Sequence, residues 1–197
     1  KDSKVVAIIG AGTQSRMSLM ALTFCFEMAE VRVADINPAA AKAFAVSFAK
    51  DYNLNMVVST DNKAAVDNAD IIVTATHADE ALVDNDWIAK GATVLPLGSY
   101  QEIDEEFVLT ADKIIVDNWD QCSHRGELKK AFEAGRISKA NLTAELGEVI
   151  VGKKVGRSSD SDRVLAVPVG LGSLDVAIVQ KVSKSAREKN IGVLVDF

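Results

Sequence analysis

A glycine turn near the start of the chain constrains the fold more than any other feature. An apolar run over residues 5–9 leads into G-A-G-T-Q-S at residues 10–15, and helix-forming residues follow. In a strand, turn and helix of this kind, Gly10 permits the tight turn and Gly12 lets a pyrophosphate approach the backbone. The small side chain of Ser15 lets helix and strand pack closely. The sequence therefore predicts a Rossmann-type dinucleotide-binding unit.

Two further features of this region indicate which dinucleotide is bound. The free amides at the helix start, from Gly12 through Thr13 and Gln14 to Ser15, are expected to face the phosphates. Asp35 ends the next apolar run, where a carboxylate can accept hydrogen bonds from ribose hydroxyls and would repel a 2′-phosphate. We therefore expect NAD as cofactor, with NADH favoured over NADPH. The alternative is that Asp35 only caps a helix.

Alternating apolar and helical segments extend this unit over the whole chain. Runs that are apolar on both faces predict strands at residues 5–9, 31–34, 56–58, 71–73, 93–97, 114–116 and 164–167. Helices are predicted at residues 14–29, 39–51, 63–68, 126–134 and 144–151, and a final helix from about residue 174 is expected to pack one face. Asn37 and Pro38 mark a helix start. The expected fold is α/β: a doubly wound, mainly parallel sheet with helices on both faces.

Composition limits the partners and the compartment. The net charge is −6 and the 22 Lys and Arg residues are scattered, so we expect no nucleic-acid partner. The most apolar stretch, residues 17–26, is far shorter than the roughly 20 residues that span a bilayer, so no membrane span is expected. Cys25 and Cys122 lie in unlike contexts and predict no disulfide framework, which favours a cytoplasmic protein.

The sequence also leads to expectations about the number of domains and about metal binding. With 197 residues and no initiator Met, the chain is expected to be one NAD-binding domain, residues 1–197, cut from a longer two-domain protein. Cys122, His124 and Glu127 form a compact polar cluster. A metal site usually has three or four suitable ligands, so we expect no metal there.

The order and spacing of several motifs resemble the ornithine cyclodeaminase and mu-crystallin family. The matching segments are G-x-G-x-Q at residues 10–14, A-T at 75–76, W-x-x-x-G at 87–91, the glycine strand end at 97–99, G-E-L at 126–128, E-L-G-E at 145–148, G-R-x-S-D at 156–160 and V-G-x-x-x-x-D at 169–175. Nearly the whole chain is covered, so the resemblance depends on the series and not on one motif.

The resemblance implies where the cofactor lies. It would cross Ala75, Thr76 and Gly98 at the carboxyl ends of the strands, with its nicotinamide facing Gly170, and the same crevice follows from the predicted sheet. Thr76 and His77 would be near the ribose of the nicotinamide half, or would be ordinary loop residues. The resemblance also implies an amino-acid or imine substrate and a homodimer of the full-length protein.

Two departures from the family pattern affect the chemistry. Tyr100 stands where deaminating members have an acid/base aspartate. Tyr100 and Glu102 are therefore candidates for proton transfer, and Asp175 is a third, although each is also explained as a loop residue. The family's basic residues that clamp a substrate carboxylate precede the dinucleotide domain. Available arginines here are Arg125, Arg136, Arg157 and Arg163, each of which is otherwise a solvated charge.

These expectations leave more than one function open. The first is an NAD-dependent amino-acid cyclodeaminase or dehydrogenase, with hydride transfer at the α-carbon; the isolated chain is expected to bind cofactor without turnover. The second is a mu-crystallin-like protein that binds a dinucleotide and a small ligand without catalysis. A regulator that only senses the redox cofactor is a third. Neither the substrate nor the oligomeric state follows from the sequence.

Overall fold

A parallel sheet with helices on both faces forms the centre of the computed structural model, which describes residues 3–193 and residue 195. The strands are β1 (Val5–Ile9), β2 (Glu30–Ala34), β3 (Met56–Val58), β4 (Ile71–Thr74), β5 (Thr93–Pro96), β6 (Lys113–Val116), β7 (Ala144–Glu145) and β8 (Val164–Val167). The α-helices are α1 (Thr13–Thr23), α2 (Pro38–Tyr52), α3 (Asn62–Val66), α4 (Glu105–Thr110), α5 (Trp119–Cys122), α6 (Lys129–Glu133), α7 (Leu146–Ile150) and α8 (Gly172–Glu188). Short 3-10 helices cover Asn85–Trp87, Gly126–Leu128 and Lys139–Asn141.

The strand order confirms the predicted doubly wound fold. Within the described residues the order is β3-β2-β1-β4-β5-β8-β6-β7, and all of these pairs are parallel. The order reverses between β1 and β4, which opens a crevice at the carboxyl ends of these two strands. This is the edge at which the glycine turn lies.

Burial on both faces of the sheet explains the unbroken apolar runs. Along β1, Ala7 and Ile9 belong to one core cluster, whereas Val6 and Ile8 belong to the cluster on the other face. The same strand therefore supplies both cores, as expected for a parallel sheet covered by helices.

The helix boundaries were only partly predicted. The predicted start of α2 is confirmed, since the Asn37 side chain accepts from the Ala39 amide at 3.0 Å and Pro38 is the first helical residue. The prediction that the first helix extends to residue 29 was wrong, because α1 ends at Thr23. The chain then turns back, and the Ala29 amide donates to the Lys4 carbonyl at 2.8 Å beside β1.

Two predictions in the second half were wrong. The predicted helix 144–151 begins as strand β7, because Ala144 pairs with Ile115 of β6, and only Leu146–Ile150 is helical. The final helix was expected to pack one face, yet no residue of α8 is buried. Its apolar residues Leu174 and Ile178 are 55% and 62% exposed. This helix follows β8 and presents its apolar side to solvent.

Candidate functional site

Gly10 brings three strands together at the carboxyl edge. Its φ is +94°, and a Cβ at this position would lie 2.6 Å from the Ala75 carbonyl oxygen after β4. The Gly10 amide donates to the Ala34 carbonyl at the end of β2. Since both the backbone conformation and the close approach exclude a side chain, residue 10 has to be glycine.

Open space lies in front of the first residues of α1. Gly12 is the N-cap, no side chain caps this helix, and an added Cβ on Gly12 would meet nothing within 4 Å. The first turn has no acidic residue, and its amides have no partner within the helix. Ser15 is fully buried, and its hydroxyl has no hydrogen-bond partner among the described residues. Exposed amides, a helix dipole and room for a group of some size suit the diphosphate of a dinucleotide.

Asp35 lies beside this opening at the end of β2. Its Oδ2 accepts from the Ala11 amide at 2.7 Å, and its Oδ1 accepts from the Asn37 amide at 2.7 Å. The cap of α2 is Asn37, so Asp35 is not the capping residue itself. Each carboxylate oxygen can accept a second hydrogen bond, which leaves Asp35 able to bind hydroxyl groups. The next side chain, Ile36, is fully exposed.

Glu102 is a buried carboxylate that joins the ends of β4 and β5. Its Oε2 accepts from Thr74 Oγ1 and from the Gly98 amide, both at 2.8 Å. Its Oε1 accepts from the amide of Thr76 at 2.7 Å and from Thr76 Oγ1 at 2.6 Å. A Cβ on Gly98 would lie 2.4 Å from the Glu102 carboxyl carbon, so any side chain at residue 98 would displace this carboxylate. The carboxylate therefore fixes two segments that the sequence assigns to the cofactor.

A second buried carboxylate, that of Glu127, supports the loop that carries Glu102. Glu127 Oε2 accepts from the Glu102 amide at 2.9 Å, and Oε1 accepts from the Ile103 amide at 3.1 Å. Burial raises the pKa of Glu127 to about 8, and the nearby charge of Glu102 acts in the same direction. The turn that carries Glu127 is thereby tied, through Glu102, to β4 and β5.

Asp117 plays the same connecting role at the ends of β6 and β8, and the sequence analysis missed it. Its Oδ2 accepts from the Gly170 amide at 2.6 Å. The Cys122 thiol donates to Asp117 Oδ1 at 3.2 Å and approaches the Val167 carbonyl at 3.3 Å. Burial raises the pKa of Cys122 to about 12. The position of Asp117, directly after an apolar strand, is the same signal that singled out Asp35.

The remaining candidates lie nearer the surface. Tyr100 is 57% exposed and lines a cavity of about 340 Å³ beside the loop after β5. His77 is exposed after β4, and Asp175 is exposed in the first turn of α8. The structure thus brings Gly10, Ala75, Thr76 and Gly98 together.

The cluster of Cys122, His124 and Glu127 does not converge on one point. The thiol contacts Asp117, His124 Nδ1 lies 2.9 Å from the Asp120 carbonyl, and Glu127 binds backbone amides. Among residues 3–193 and 195, no group of three or more His, Cys, Asp or Glu side chains is placed to hold a metal ion. Over the same residues, no helix is long and apolar enough to cross a membrane.

Comparison with known proteins adds relatives of known activity. The model of the ornithine cyclodeaminase/mu-crystallin family matches residues 1–190. An alanine dehydrogenase of Archaeoglobus fulgidus is 35% identical over 201 residues, which cover 100% of this chain and 61% of the relative.

Solved structures give a similar result. The Δ1-pyrroline-2-carboxylate reductase of Thermococcus litoralis, in complex with NADH and L-proline, has a TM-score of 0.94 at 31% identity over 99% of this chain and 62% of that chain. An archaeal alanine dehydrogenase dimer with bound NAD has a TM-score of 0.93 at 34% identity over 100% of this chain and 61% of that chain. The chain therefore spans about three fifths of the length of these relatives.

Proposed function

The chain belongs to the ornithine cyclodeaminase/mu-crystallin family, and from that premise we propose that it is the cofactor-binding part of an NAD-dependent oxidoreductase acting on an amino acid or an imino acid. The observation that carries the proposal is the carboxyl edge of β1, β2, β4 and β5. There an uncapped helix start, the Asp35 carboxylate directly after β2 and two strand ends joined by Glu102 lie at the same edge of the sheet.

The residues of this edge fit the parts of a dinucleotide. The amides of Thr13, Gln14 and Ser15 would hold the diphosphate, and Asp35 would hold the adenosine ribose. Thr76 and Gly98, which Glu102 fixes, would lie along the nicotinamide half. A bound nicotinamide would supply the hydride acceptor or donor for the α-carbon of the substrate. The carboxylate of Asp35 would disfavour a 2′-phosphate, so we propose NADH over NADPH.

The accessibility of Glu102 and Tyr100 decides which of these two side chains we propose for proton transfer. Both Glu102 oxygens already accept two hydrogen bonds, and the side chain is buried, so Glu102 has no free position from which to reach a substrate. Tyr100 is exposed beside the same loop and is the better placed of the two. We therefore assign positioning to Glu102 and propose Tyr100 as the group that exchanges a proton with the substrate or with water.

Two of the relatives favour the dehydrogenase form of this chemistry over the cyclodeaminase form. The relatives described above are an alanine dehydrogenase and a pyrroline-2-carboxylate reductase, whose names describe net oxidation or reduction. Since the archaeal alanine dehydrogenase structure is a dimer, we also propose a homodimer for the full-length protein, with the exposed apolar side of α8 available for packing.

A mu-crystallin-like binding protein is the second candidate. The observation in its favour is that Tyr100 stands where deaminating members have an aspartate, since a phenol hydroxyl accepts a proton less readily than a carboxylate. Both candidates predict NADH binding, and only the enzyme predicts substrate-dependent turnover.

Two measurements test the proposal. Fluorescence titration of this chain with NADH should give saturable binding. Because this chain spans three fifths of its relatives, we expect it to show no change in NADH absorbance with pyruvate plus ammonia or with an imino acid. A full-length protein should show that change. Absence of NADH binding contradicts the proposal, and binding without turnover by a full-length protein favours the second candidate.

A further inference from the structure

Glu102 is a buried carboxylate that dipoles hold without the help of a cation. Its side chain has no exposed surface, and each of its oxygens accepts one hydrogen bond from a backbone amide and one from a hydroxyl group. Four donors around two oxygens stabilise the ionised form of a carboxyl group. In the part of the chain that the structure describes, no Lys, Arg or His forms an ion pair with Glu102. Its negative charge is therefore not neutralised.

The neighbouring carboxyl group of Glu127 adds little charge at neutral pH. Burial raises the pKa of Glu127 to about 8, so most of this side chain is protonated at pH 7. The charged side chains that act on Glu127 are Glu102, which favours the protonated form, and Lys130, which opposes it. At pH 7 the negative charge of the two buried glutamates consequently lies mainly on Glu102.

The Glu102 carboxylate lies directly against the ends of β4 and β5. A Cβ on Gly98 would be 2.8 Å from Glu102 Oε1, so the carboxylate occupies the place that a side chain of residue 98 would take. At the end of β4, both the amide and the hydroxyl group of Thr76 donate to Oε1. Thr76 and Gly98 are the residues that we propose for the nicotinamide half of the cofactor. The buried charge is therefore in contact with the backbone that would line this half.

Charge is distributed unevenly along the carboxyl edge of the sheet. The start of α1 has free amides, no acidic residue in its first turn and the positive end of a helix dipole. The other part of the edge has Glu102 and also Asp117, whose Oδ2 accepts from the Gly170 amide at 2.6 Å. Within residues 3–193 and 195, Asp117 forms no ion pair either. This distribution matches NAD⁺, which has a negative diphosphate and a positive ring, whereas the ring of NADH is neutral.

We propose that Glu102 is a charge partner of the oxidised nicotinamide ring, so that the chain binds NAD⁺ more tightly than NADH. This inference rests on the proposed function, which supplies the position of the nicotinamide half. Burial strengthens the effect, because a charge shielded from water acts more strongly on its neighbours than an exposed one. Tighter binding of the oxidised form makes the bound couple a stronger reductant, which suits the reduction of an imino acid.

Titration calorimetry of this chain with NAD⁺ and with NADH at pH 7 tests the proposal. The wild type should bind NAD⁺ more tightly than NADH. Glu102→Gln removes the charge and keeps the side-chain length, so it should raise the ratio of the NAD⁺ Kd to the NADH Kd by about tenfold. Glu102→Asp keeps the charge on a shorter side chain. It should weaken both cofactors and preserve the preference for NAD⁺.

Thr74→Val separates the charge of Glu102 from its hydrogen-bond support. The substitution removes one hydroxyl donor to Oε2 and keeps the carboxylate, and residue 74 is itself fully buried. Both cofactors should therefore weaken to a similar extent, with an unchanged Kd ratio. Glu188→Gln on the exposed end of α8 removes a distant charge and should leave both Kd values as they are.

The Kd ratio distinguishes this inference from a purely structural role of Glu102. Equal losses of NAD⁺ and NADH affinity in Glu102→Gln would overturn the inference while leaving the proposed function intact. Tighter binding of NADH than of NAD⁺ by the wild type would overturn it as well, even if Glu102→Gln does not fold. Failure of the wild type to bind either cofactor would contradict the proposed function, and this inference with it.

Discussion

Asp35 Oδ2 accepts a hydrogen bond from the Ala11 amide at 2.7 Å, so the carboxylate expected at the cofactor ribose also braces the glycine turn. Cofactor choice and turn geometry are therefore coupled in one side chain. A substitution at residue 35 should change both, and the effect on the turn should depend on how many of the two amide hydrogen bonds the new side chain keeps.

Wild-type chain should bind NADH at least tenfold more tightly than NADPH, a difference of about 1.4 kcal/mol. Asp35→Asn should narrow this gap because it removes the charge, and it should also weaken NADH moderately because its side-chain NH2 would face either the Ala11 or the Asn37 amide. Asp35→Ser should narrow the gap and also weaken NADH, because a serine is too short to reach both the Ala11 and the Asn37 amides. Titration calorimetry with both cofactors measures these differences. Equal affinities in the wild type would mean that Asp35 does not face the ribose.

Substitutions of the two glycines of the turn should have different effects, one on cofactor binding and the other on stability. Gly12→Val should abolish NADH binding with a small loss of stability, because its φ of −81° suits any residue and the side chain would fill the open space before α1. Gly10→Ala should destabilise the fold, since the φ of +94° and the Ala75 carbonyl exclude a methyl group. Urea unfolding together with NADH titration separates the two. Retained NADH affinity in folded Gly12→Val would contradict the proposed diphosphate site.

Glu102→Gln should cost about 1 to 3 kcal/mol of unfolding free energy, because the new amide group would face donors that now bind a carboxylate oxygen. NADH binding should weaken as well, since Thr76 and Gly98 donate to different oxygens of Glu102 and the glutamine keeps only one of these acceptors. Glu188→Gln on the exposed end of α8 is the matched control and should change neither quantity. An unchanged NADH affinity in Glu102→Gln would limit Glu102 to a role in stability.

Glu127 should make stability depend on pH. Its pKa is raised to about 8 in the folded chain, above the unfolded value near 4.5, so the folded state favours the protonated form. Its stabilising contribution is complete below about pH 4.5 and is lost as the pH rises through 8, by about 1.4 kcal/mol per unit of pKa difference. Glu127→Gln does not titrate. Urea unfolding from pH 5 to pH 9 should therefore show a steeper fall for the wild type than for the variant, and parallel curves would refute this assignment.

The two cysteines should differ in reactivity. Cys25 is exposed, whereas Cys122 is buried and its thiol, with a pKa of about 12, contacts Asp117. Iodoacetamide at pH 8 should modify Cys25 in the folded chain, and Cys122 only after unfolding, because the thiolate is the reacting form. Mass spectrometry of peptides gives the site of modification, and a Cys25→Ser variant should remain unmodified until denaturant is added.

Strongly local signals made much of the fold predictable. The glycine turn, the unbroken apolar runs and the Asn37 cap each depend on a few adjacent residues, and each lies where it was expected. Strand β7 was missed because Ala144 and Glu145 become a strand only by pairing with β6, which no local pattern encodes. The end of α1 at Thr23 was missed because residues 24–28 contain no Gly or Pro to mark it.

Site residues that belong to a local sequence motif could be assigned their roles from the sequence. The roles of residues that act through contacts distant in sequence could not. Gly10 was assigned its role from the motif alone. Glu102 lies 28 residues from Thr74 and 26 residues from Thr76 in the sequence, and it binds both. Glu127, which accepts from the Glu102 amide, lies 25 residues further along the chain. Such distances leave no trace in a single sequence, so Glu102 could be proposed for proton transfer but not recognised as a brace.

The place of β8 in the sheet also determines when the protein can fold during its synthesis. Strand β8 lies between β5 and β6, although residues 164–167 are translated after both. Strands β1 to β5 can assemble as soon as they leave the ribosome, but β6 and β7 cannot join them until β8 arrives. A nascent chain that ends before residue 164 therefore exposes two strand edges, on β5 and on β6, that β8 pairs in the complete sheet. Unpaired strand edges are the surfaces through which chains aggregate and to which chaperones bind.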